Sequence, residues 1–211
     1  MDAVRVALLR DVLAGTAWPS AARSFAGALR SSVVRHGGGL LLVGTAGYEP
    51  WHLAAHLGDE ARWAGLPELS PTLVRHRVRP GDPPHLAVGP GRLEVAGRGA
   101  TLLVVAPDRP DGGLLERVHG ARRAGATVLA LGGGDDGDGD VDREVRGVAH
   151  EALTVDPARD GGVDLDTVQH LVSAAAGEAG PPSRGGGRGR FGDRLSRLAD
   201  HLTSPPPPER W

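Results

Sequence analysis

Apolar residues recur at helical spacing through the first 35 positions of the chain. This pattern predicts one amphipathic helix over residues 3–14 and a second over residues 21–35. The segment Trp18-Pro19-Ser20 separates them, and Ser20 is the expected N-cap of the second helix. The chain is therefore predicted to begin with a helical hairpin.

Beyond this hairpin the pattern changes to short apolar runs, each followed by a segment with helical spacing. The runs occupy residues 40–43, 100–106, 126–131 and 152–155, and a more polar run lies at 72–78. Unbroken runs of this length are typical of strands buried on both faces of a parallel sheet. The helical segments between and after them occupy residues 49–63, 112–124, 141–149 and 164–176. The alternation predicts an α/β fold, a three-layer sandwich with a mainly parallel five-stranded sheet.

Glycine and proline, 33 and 17 of the 211 residues, indicate where this domain ends. They are sparse in the predicted strands and dense after residue 176. The distribution predicts an α/β domain over residues 1–176 and a flexible linker over 177–190. Residues 191–211 follow with an amphipathic helical pattern and a proline-rich tail that ends in Trp211. This tethered C-terminal helix either docks on its own domain or a second copy, or binds a separate protein partner.

Composition excludes several kinds of chemistry and partner. The chain has no cysteine and no lysine, which excludes disulfides, thiolate catalysis and a phosphate-binding lysine. A formal net charge of −2 and a 3% aromatic content make nucleic acid an unexpected partner. The chain shows no signal peptide and no apolar run of the ~18 residues that a membrane span needs, so we expect a cytoplasmic protein without a membrane partner. The aspartate-rich segment 132–140 lacks the glutamate of a calcium loop and is predicted to be a solvated loop.

Two stretches carry a family resemblance. Residues 38–57 read GGLLLVGTAGYEPWHLAAHL, and residues 99–131 read GATLLVVAPDRPDGGLLERVHGARRAGATVLAL. Over residues 1–176 the chain resembles the SIS (sugar isomerase) domain, and within that family most of all the phosphoheptose isomerase branch. The resemblance implies a five-stranded parallel sheet, a homodimer or homotetramer, and a phosphorylated sugar or related carbohydrate derivative as ligand.

The resemblance also implies where the ligand binds. It points to the turn after the first strand, and to Asp108 and Arg109 after the strand at 100–106. Tyr48 and Glu49 stand where the family has a small hydroxyl residue, and the second loop has prolines and aspartates instead of serine or threonine. Arg109 can offset the loss through a bidentate contact with an anion. The turn residues are Gly44, Thr45, Ala46, Gly47, Tyr48 and Glu49.

The catalytic residues implied by the resemblance are His52, His56 and Gln169. His52 and His56 are four residues apart and therefore lie on one helix face, where two imidazoles can share a divalent metal such as zinc. Histidine replaces the family's glutamate at position 56. Gln169 is kept, His170 follows it, and small residues occupy 174–177, where the family has a later histidine. The alternative is that both histidines line a subunit interface or pack against Trp51.

These observations lead to three hypotheses of function. The first is a non-catalytic, regulatory SIS-like domain that binds a phosphosugar or related carbohydrate derivative. The second is an active aldose–ketose isomerase of the heptose-phosphate type. The third is a protein-interaction scaffold that acts through residues 191–211. For the chain as a whole no cofactor is expected, with zinc at His52 and His56 as the alternative.

Overall fold

A computed structural model of the chain describes residues 3–133 and 139–178, and these residues form the fold. The helices are α1 (Ala3–Val12), α2 (Trp18–His36), α3 (Trp51–Ala64), α4 (Gly91–Glu94), α5 (Gly112–Arg123), α6 (Gly139–Val148) and α7 (Leu165–Gly177). The strands are β1 (Leu40–Val43), β2 (Pro71–Val74), β3 (Thr101–Ala106), β4 (Thr127–Gly133) and β5 (Glu151–Val155). Two short 3₁₀ helices, Pro67–Leu69 and Pro84–Leu86, flank β2.

The five strands form one sheet in the order β2-β1-β3-β4-β5, and every pair is parallel. The predicted fold class is thereby confirmed. From β1 the chain passes to β2 on one side and then returns to the other side to form β3. In open parallel sheets of this order, ligands bind in the crevice at the carboxyl ends of the two strands where the direction reverses, which in this protein are β1 and β3.

Alternate side chains of the strands build two separate cores. On one face Leu40, Leu42 and Leu103 pack against α2, α3 and α7. On the other face Leu41 and Val43 belong to a second core that includes residues of α4, α5 and α6. Because both faces are covered, the central strands contain only buried residues, which explains their continuous apolar sequence.

The end of α7 is fixed to the N-terminal hairpin by two arginines. Arg10 forms an ion pair with the Glu178 carboxylate at 2.6 Å. Arg30 donates hydrogen bonds to the carbonyl oxygens of Ala176 (3.4 Å) and Glu178. These contacts join the first and last described helices, and so help to set the position of α7 over the sheet.

The second helix of the N-terminal hairpin begins earlier in the chain than predicted. Helix α2 starts at Trp18 with Pro19 in its first turn, where proline is tolerated because the first amide groups of a helix have no partner within it. Ser20 is therefore inside the helix, and its hydroxyl donates to the Ala17 carbonyl at 2.9 Å instead of capping. The prediction of Ser20 as N-cap was wrong.

Strand β2 is shorter than the predicted run at 72–78. It ends at Val74 because the next residue leaves the sheet ladder: the Arg75 amide donates to the carbonyl of Val88 at 2.8 Å. The predicted acidic loop is also shorter, since β4 extends to Gly133 and α6 begins at Gly139. Residues 134–138, the linker beyond residue 178 and the C-terminal helix with its tail lie outside the described residues.

No helix among the described residues has both the length and the apolar character that crossing a membrane would require.

Candidate functional site

The turn predicted to bind ligand lies directly after β1, at the reversal point of the sheet. A Cβ at Gly44 would overlap the carbonyl oxygen of Tyr48, so this tight turn requires glycine. Thr45 is buried, and its hydroxyl has no hydrogen-bond partner within the described part of the chain. An unsatisfied buried hydroxyl costs about 1–3 kcal/mol, so such a group is rare unless a water, ion or ligand supplies the missing partner. Ala46 and Gly47, at the tip, are exposed.

Three histidines converge next to this turn. His52 and His56 lie one turn apart on α3, and His170 faces them from α7. The Nε2 atoms of His52 and His56 are 2.7 Å apart, and those of His52 and His170 are 3.3 Å apart. The histidine cluster, as we call these three residues, has one nitrogen from each within 4.8 Å of the others.

Burial differs within the histidine cluster. His56 and His170 are 8% and 3% exposed, whereas His52 is exposed on the solvent side. Burial, reinforced by the neighbouring His52 and His170, lowers the pKa of His56 from 6.5 to about 4. His56 is therefore neutral at physiological pH, and one of its ring nitrogens keeps a lone pair that can bind a metal ion or accept a hydrogen bond.

The geometry of the histidine cluster fits a transition-metal ion. Zinc–nitrogen bonds of about 2.0–2.1 Å in a tetrahedral site place the ligand nitrogens about 3.3 Å apart. The distance between His52 and His170 has this value, and the one between His52 and His56 needs to open by roughly half an ångström, using the same bond lengths. The third pair, His56 and His170, has ligand nitrogens within 4.8 Å of each other, so these two side chains would have to approach by up to about 1.5 Å for all three imidazoles to hold one ion.

Gln169 lies beside the histidine cluster but contacts a different residue. It is buried on α7, and its side-chain amide lies 3.2 Å (Oε1) and 3.1 Å (Nε2) from the Tyr48 hydroxyl. Burial raises the pKa of this hydroxyl, so Tyr48 remains protonated at neutral pH. The structure therefore brings His52 and His56 together as predicted, and pairs Gln169 with Tyr48.

Glu49 connects the β1 turn to the segment after β2. Its Oε1 accepts the backbone amide hydrogens of His76 (3.1 Å) and Arg77 (3.5 Å). Its Oε2 accepts from Nε1 of Trp51 (3.1 Å) and from Nε of Arg75 (3.2 Å). With four donors on one carboxylate, Glu49 holds the β1 turn against residues 75–77, and its predicted role in ligand binding stays a prediction.

A cleft of about 210 Å³ opens where these two segments meet. Its lining, which we call the arginine cleft, consists of Ala46, Gly47, Glu49, Arg75, Arg77 and Arg79. The sequence placed Arg75 and Arg77 on an exposed strand, so the cleft was not predicted. The signal was present as an arginine at every second position of 75–79.

The two predicted site residues after β3 have different surroundings. The carboxylate of Asp108 lies close to Gly47, 2.9 Å from where a Cβ of that residue would be. Arg109 makes a two-point ion pair with Glu144 of α6, including an Nε–Oε2 contact of 3.3 Å. The predicted roles of Asp108 and Arg109 in ligand binding stay predictions.

One solved structure shares this fold, and others align with it at lower scores. A candidate sugar-binding protein from Salmonella typhimurium LT2 aligns with 92% of the chain at a TM-score of 0.51 and 17% sequence identity. The chain corresponds to 52% of that protein, about half its length. The sugar isomerase domain of the RpiR transcription factor from Sphaerobacter thermophilus aligns over 85% of both chains, with a TM-score of 0.45 and 15% identity. A candidate phosphosugar isomerase from Silicibacter pomeroyi DSS-3 covers 88% of this chain and 53% of its own, with a TM-score of 0.41 and 16% identity.

No protein-family model and no curated protein matches the chain. At 17% identity the first structural likeness establishes the fold alone.

Proposed function

We propose that this domain binds a carbohydrate derivative at the β1–β3 crevice with the help of a zinc-class metal ion, and that it does so without converting the ligand. The convergence of His52, His56 and His170 carries the proposal. The predictions of a phosphoheptose isomerase branch, a homo-oligomer and a cytoplasmic location are not needed for it and stay predictions.

The donor set determines the class of metal. Neutral imidazole suits zinc, copper, nickel and iron(II) better than magnesium or calcium, which prefer oxygen. Three protein ligands leave the fourth tetrahedral position for an outside ligand. A bound ion would act there as a Lewis acid that can hold a hydroxyl or carbonyl oxygen of a sugar.

The same residues argue against turnover. Aldose–ketose isomerisation moves a proton between neighbouring carbons and needs a positioned base. Imidazoles that hold a metal cannot also accept this proton, and Gln169 is bonded to Tyr48. In the described residues the cluster contains imidazoles only, because His56 stands where the resemblance implies a glutamate. Binding without conversion is the function that these groups support.

The carbohydrate class is supported by the fold and its crevice. The structure named for sugar binding shares the fold of this chain, and its ligand class is the one that we propose. The crevice between β1 and β3 is also where sheets of this order bind small molecules.

The test is a zinc titration of the full chain in competition with a chromophoric chelator. We expect one equivalent to bind, and the single variants His56→Ala and His170→Ala to weaken the affinity by more than about 100-fold, or roughly 2.7 kcal/mol. His119→Ala removes an exposed histidine of α5 and serves as the matched control. Equal affinity of wild type and both cluster variants would overturn the metal site.

Ligand and turnover are tested separately. Zinc-loaded protein should gain thermal stability with sugar phosphates at millimolar concentration, since a ligand that binds only the native state stabilises it by mass action. Absence of any shift across the panel contradicts the carbohydrate assignment. Aldose–ketose conversion that disappears in His56→Ala contradicts the non-catalytic assignment and favours the isomerase.

A further inference from the structure

The arginine cleft is a second polar feature at the same edge of the sheet, and the proposed metal site does not use it. It lies between the tip of the β1 turn and the segment that follows β2. Trp51, which hydrogen-bonds to Glu49 in the cleft wall, directly precedes His52 of the histidine cluster. The cleft and the histidine cluster are therefore neighbours along the start of α3.

One of the three guanidinium groups in the cleft is already neutralised. Arg75 pairs with Glu49 at 3.2 Å and with Asp82 at 2.6 Å, donates to the Leu86 carbonyl at 3.1 Å, and lies 4.8 Å above the ring of Trp51. A hydrogen bond from the Arg79 amide, aided by the Arg75 guanidinium, lowers the pKa of Asp82, which therefore remains charged. Arg75 is thus a fixed part of the wall rather than an available cation.

The other two guanidinium groups supply the net charge of the cleft. The side chains of Arg77 and Arg79 are exposed, and among the described residues neither forms an ion pair. Arg75, Arg77 and Arg79 together outnumber the carboxylates of Glu49 and Asp82 by one, so the cleft keeps a net charge of +1. Their spacing of two residues places both on the segment that forms one wall.

The opposite wall adds backbone donors. The amides of Ala46 and Gly47 make no hydrogen bond to other groups of the described chain. The small side chains of these residues allow an anion to approach the backbone closely. Turn amides without a partner, next to guanidinium groups, are a recurring arrangement for binding oxyanions.

We propose that the arginine cleft binds the dianionic phosphate group of a small phosphate monoester, with Arg77 and Arg79 as its cations. The cleft volume of about 210 Å³ accommodates a phosphate group with part of its substituent. That the substituent is a sugar rests on the proposed function, whereas the anion site itself does not require the metal. The arginine cleft would also supply the affinity for phosphate that the proline- and aspartate-containing loop after β3 lacks.

One negative group opposes this ligand. The Asp108 carboxylate lies against Gly47 on the turn that lines the cleft. It does not line the cleft itself, so it weakens binding through space without blocking it.

The proposal is tested by calorimetry on metal-free full-length protein, with inorganic phosphate, glucose 6-phosphate and glucose as probes. We expect both phosphates to bind and glucose not to. The double variant Arg77→Ala/Arg79→Ala should lose at least tenfold in affinity for both. The matched control Arg23→Ala/Arg35→Ala removes the same charge from exposed positions of α2 and should change the affinity by less than twofold. Unchanged circular dichroism of both variants confirms that they are folded.

Any of four results would overturn the proposal. Wild type could fail to bind phosphate at 10 mM, the cleft variant could keep the wild-type affinity, or the α2 control could show an equal loss. The fourth is equal binding of glucose and glucose 6-phosphate. Failure of the anion site and of the metal site can be distinguished. If phosphate binds through the cleft arginines but the protein does not bind zinc, only the proposed function is overturned. If the protein binds zinc but not phosphate, only the present inference is overturned.

Discussion

The histidine cluster and the arginine cleft lie at the same edge of the sheet, yet they suit opposite kinds of ligand. In the cluster, burial keeps His56 uncharged and leaves it a nitrogen lone pair. In the cleft, Arg77 and Arg79 are exposed and keep their positive charge in water. The two proposals thus assign basic side chains to a metal site on one side of Trp51 and to an anion site on the other. The comparison teaches that the type of basic side chain decides what it can bind, because a neutral imidazole offers a lone pair to a metal and a guanidinium stays cationic, while burial strengthens the difference at His56.

The largest expected difference between the two regions is their tolerance of an added methyl group. A Cβ at Gly177, near the end of α7, would overlap the buried Glu60 carboxylate, whereas one at Gly47 would meet only the exposed tip of Asp108 at 2.9 Å. We expect Gly177→Ala to lower the free energy of unfolding by about 2–3 kcal/mol, as overpacking of a core does, and Gly47→Ala by less than about 1 kcal/mol. Urea denaturation of both variants measures this. Similar losses in the free energy of unfolding for the two variants would show that both positions accommodate the added methyl group equally well.

Acid should destabilise the cluster side through His56. Since its pKa falls from 6.5 to about 4 on folding, the unfolded chain binds more protons between these values. The contribution of His56 is present above pH 6.5 and is lost as the pH falls towards 4. Because solvent screens part of the effect, we expect it to be on the order of 1 kcal/mol. The free energy of unfolding is measured by denaturation at both ends of this range, for metal-free wild type and for His56→Gln. Its dependence on pH should be steeper in wild type than in the variant. Parallel curves would contradict the low pKa.

The ligand affinities of the two sites should depend differently on salt concentration. Binding to exposed guanidinium groups is screened, so phosphate affinity should fall roughly tenfold between about 0.05 and 0.5 M NaCl. Zinc affinity for neutral imidazoles should change by less than about twofold, because no charge on the ligands is screened. Parallel titrations at both salt concentrations provide the measurement. An equal salt dependence of the two affinities would remove the distinction between them.

The smallest effect is expected at Asp108. Removing its charge with Asp108→Asn should strengthen phosphate binding by about threefold, as expected for one charge several ångströms away in a solvated site. Asp111→Asn is not a suitable control, because Asp111 caps α5 by accepting from the Leu114 amide at 2.8 Å. Asp11→Asn, on the distant N-terminal hairpin, is the suitable one. A weaker affinity in Asp108→Asn would mean that this carboxylate helps to bind the ligand.

The sheet could be predicted from sequence because its signal is local. Unbroken apolar runs indicate strands covered on both faces, and the runs at β1, β3, β4 and β5 match the strands within a residue or two. The end of β2 could not be predicted in this way. The segment at 75–77 is held by Glu49, a residue 26 positions away from Arg75, rather than by the ladder.

The site was predicted less completely for a related reason. The i, i+4 pair His52 and His56 can be recognised within one helix, but the third histidine is 118 residues away. Every residue from Val168 to Ala174 of α7 is buried, so hydrophobic spacing does not reveal which side of it His170 faces. The ion pair between Arg109 and Glu144 has the same character, because the two residues are 35 positions apart.

The contact between His52 and His170 also closes a loop that spans most of the domain. An ion held by both would act as a cross-link between the early and late parts of the chain, and such a link stabilises the native state by reducing the entropy of the unfolded one. During synthesis the third ligand emerges only after all five strands have been made. Capture of one ion by all three histidines would therefore require that the whole sheet has already been synthesised.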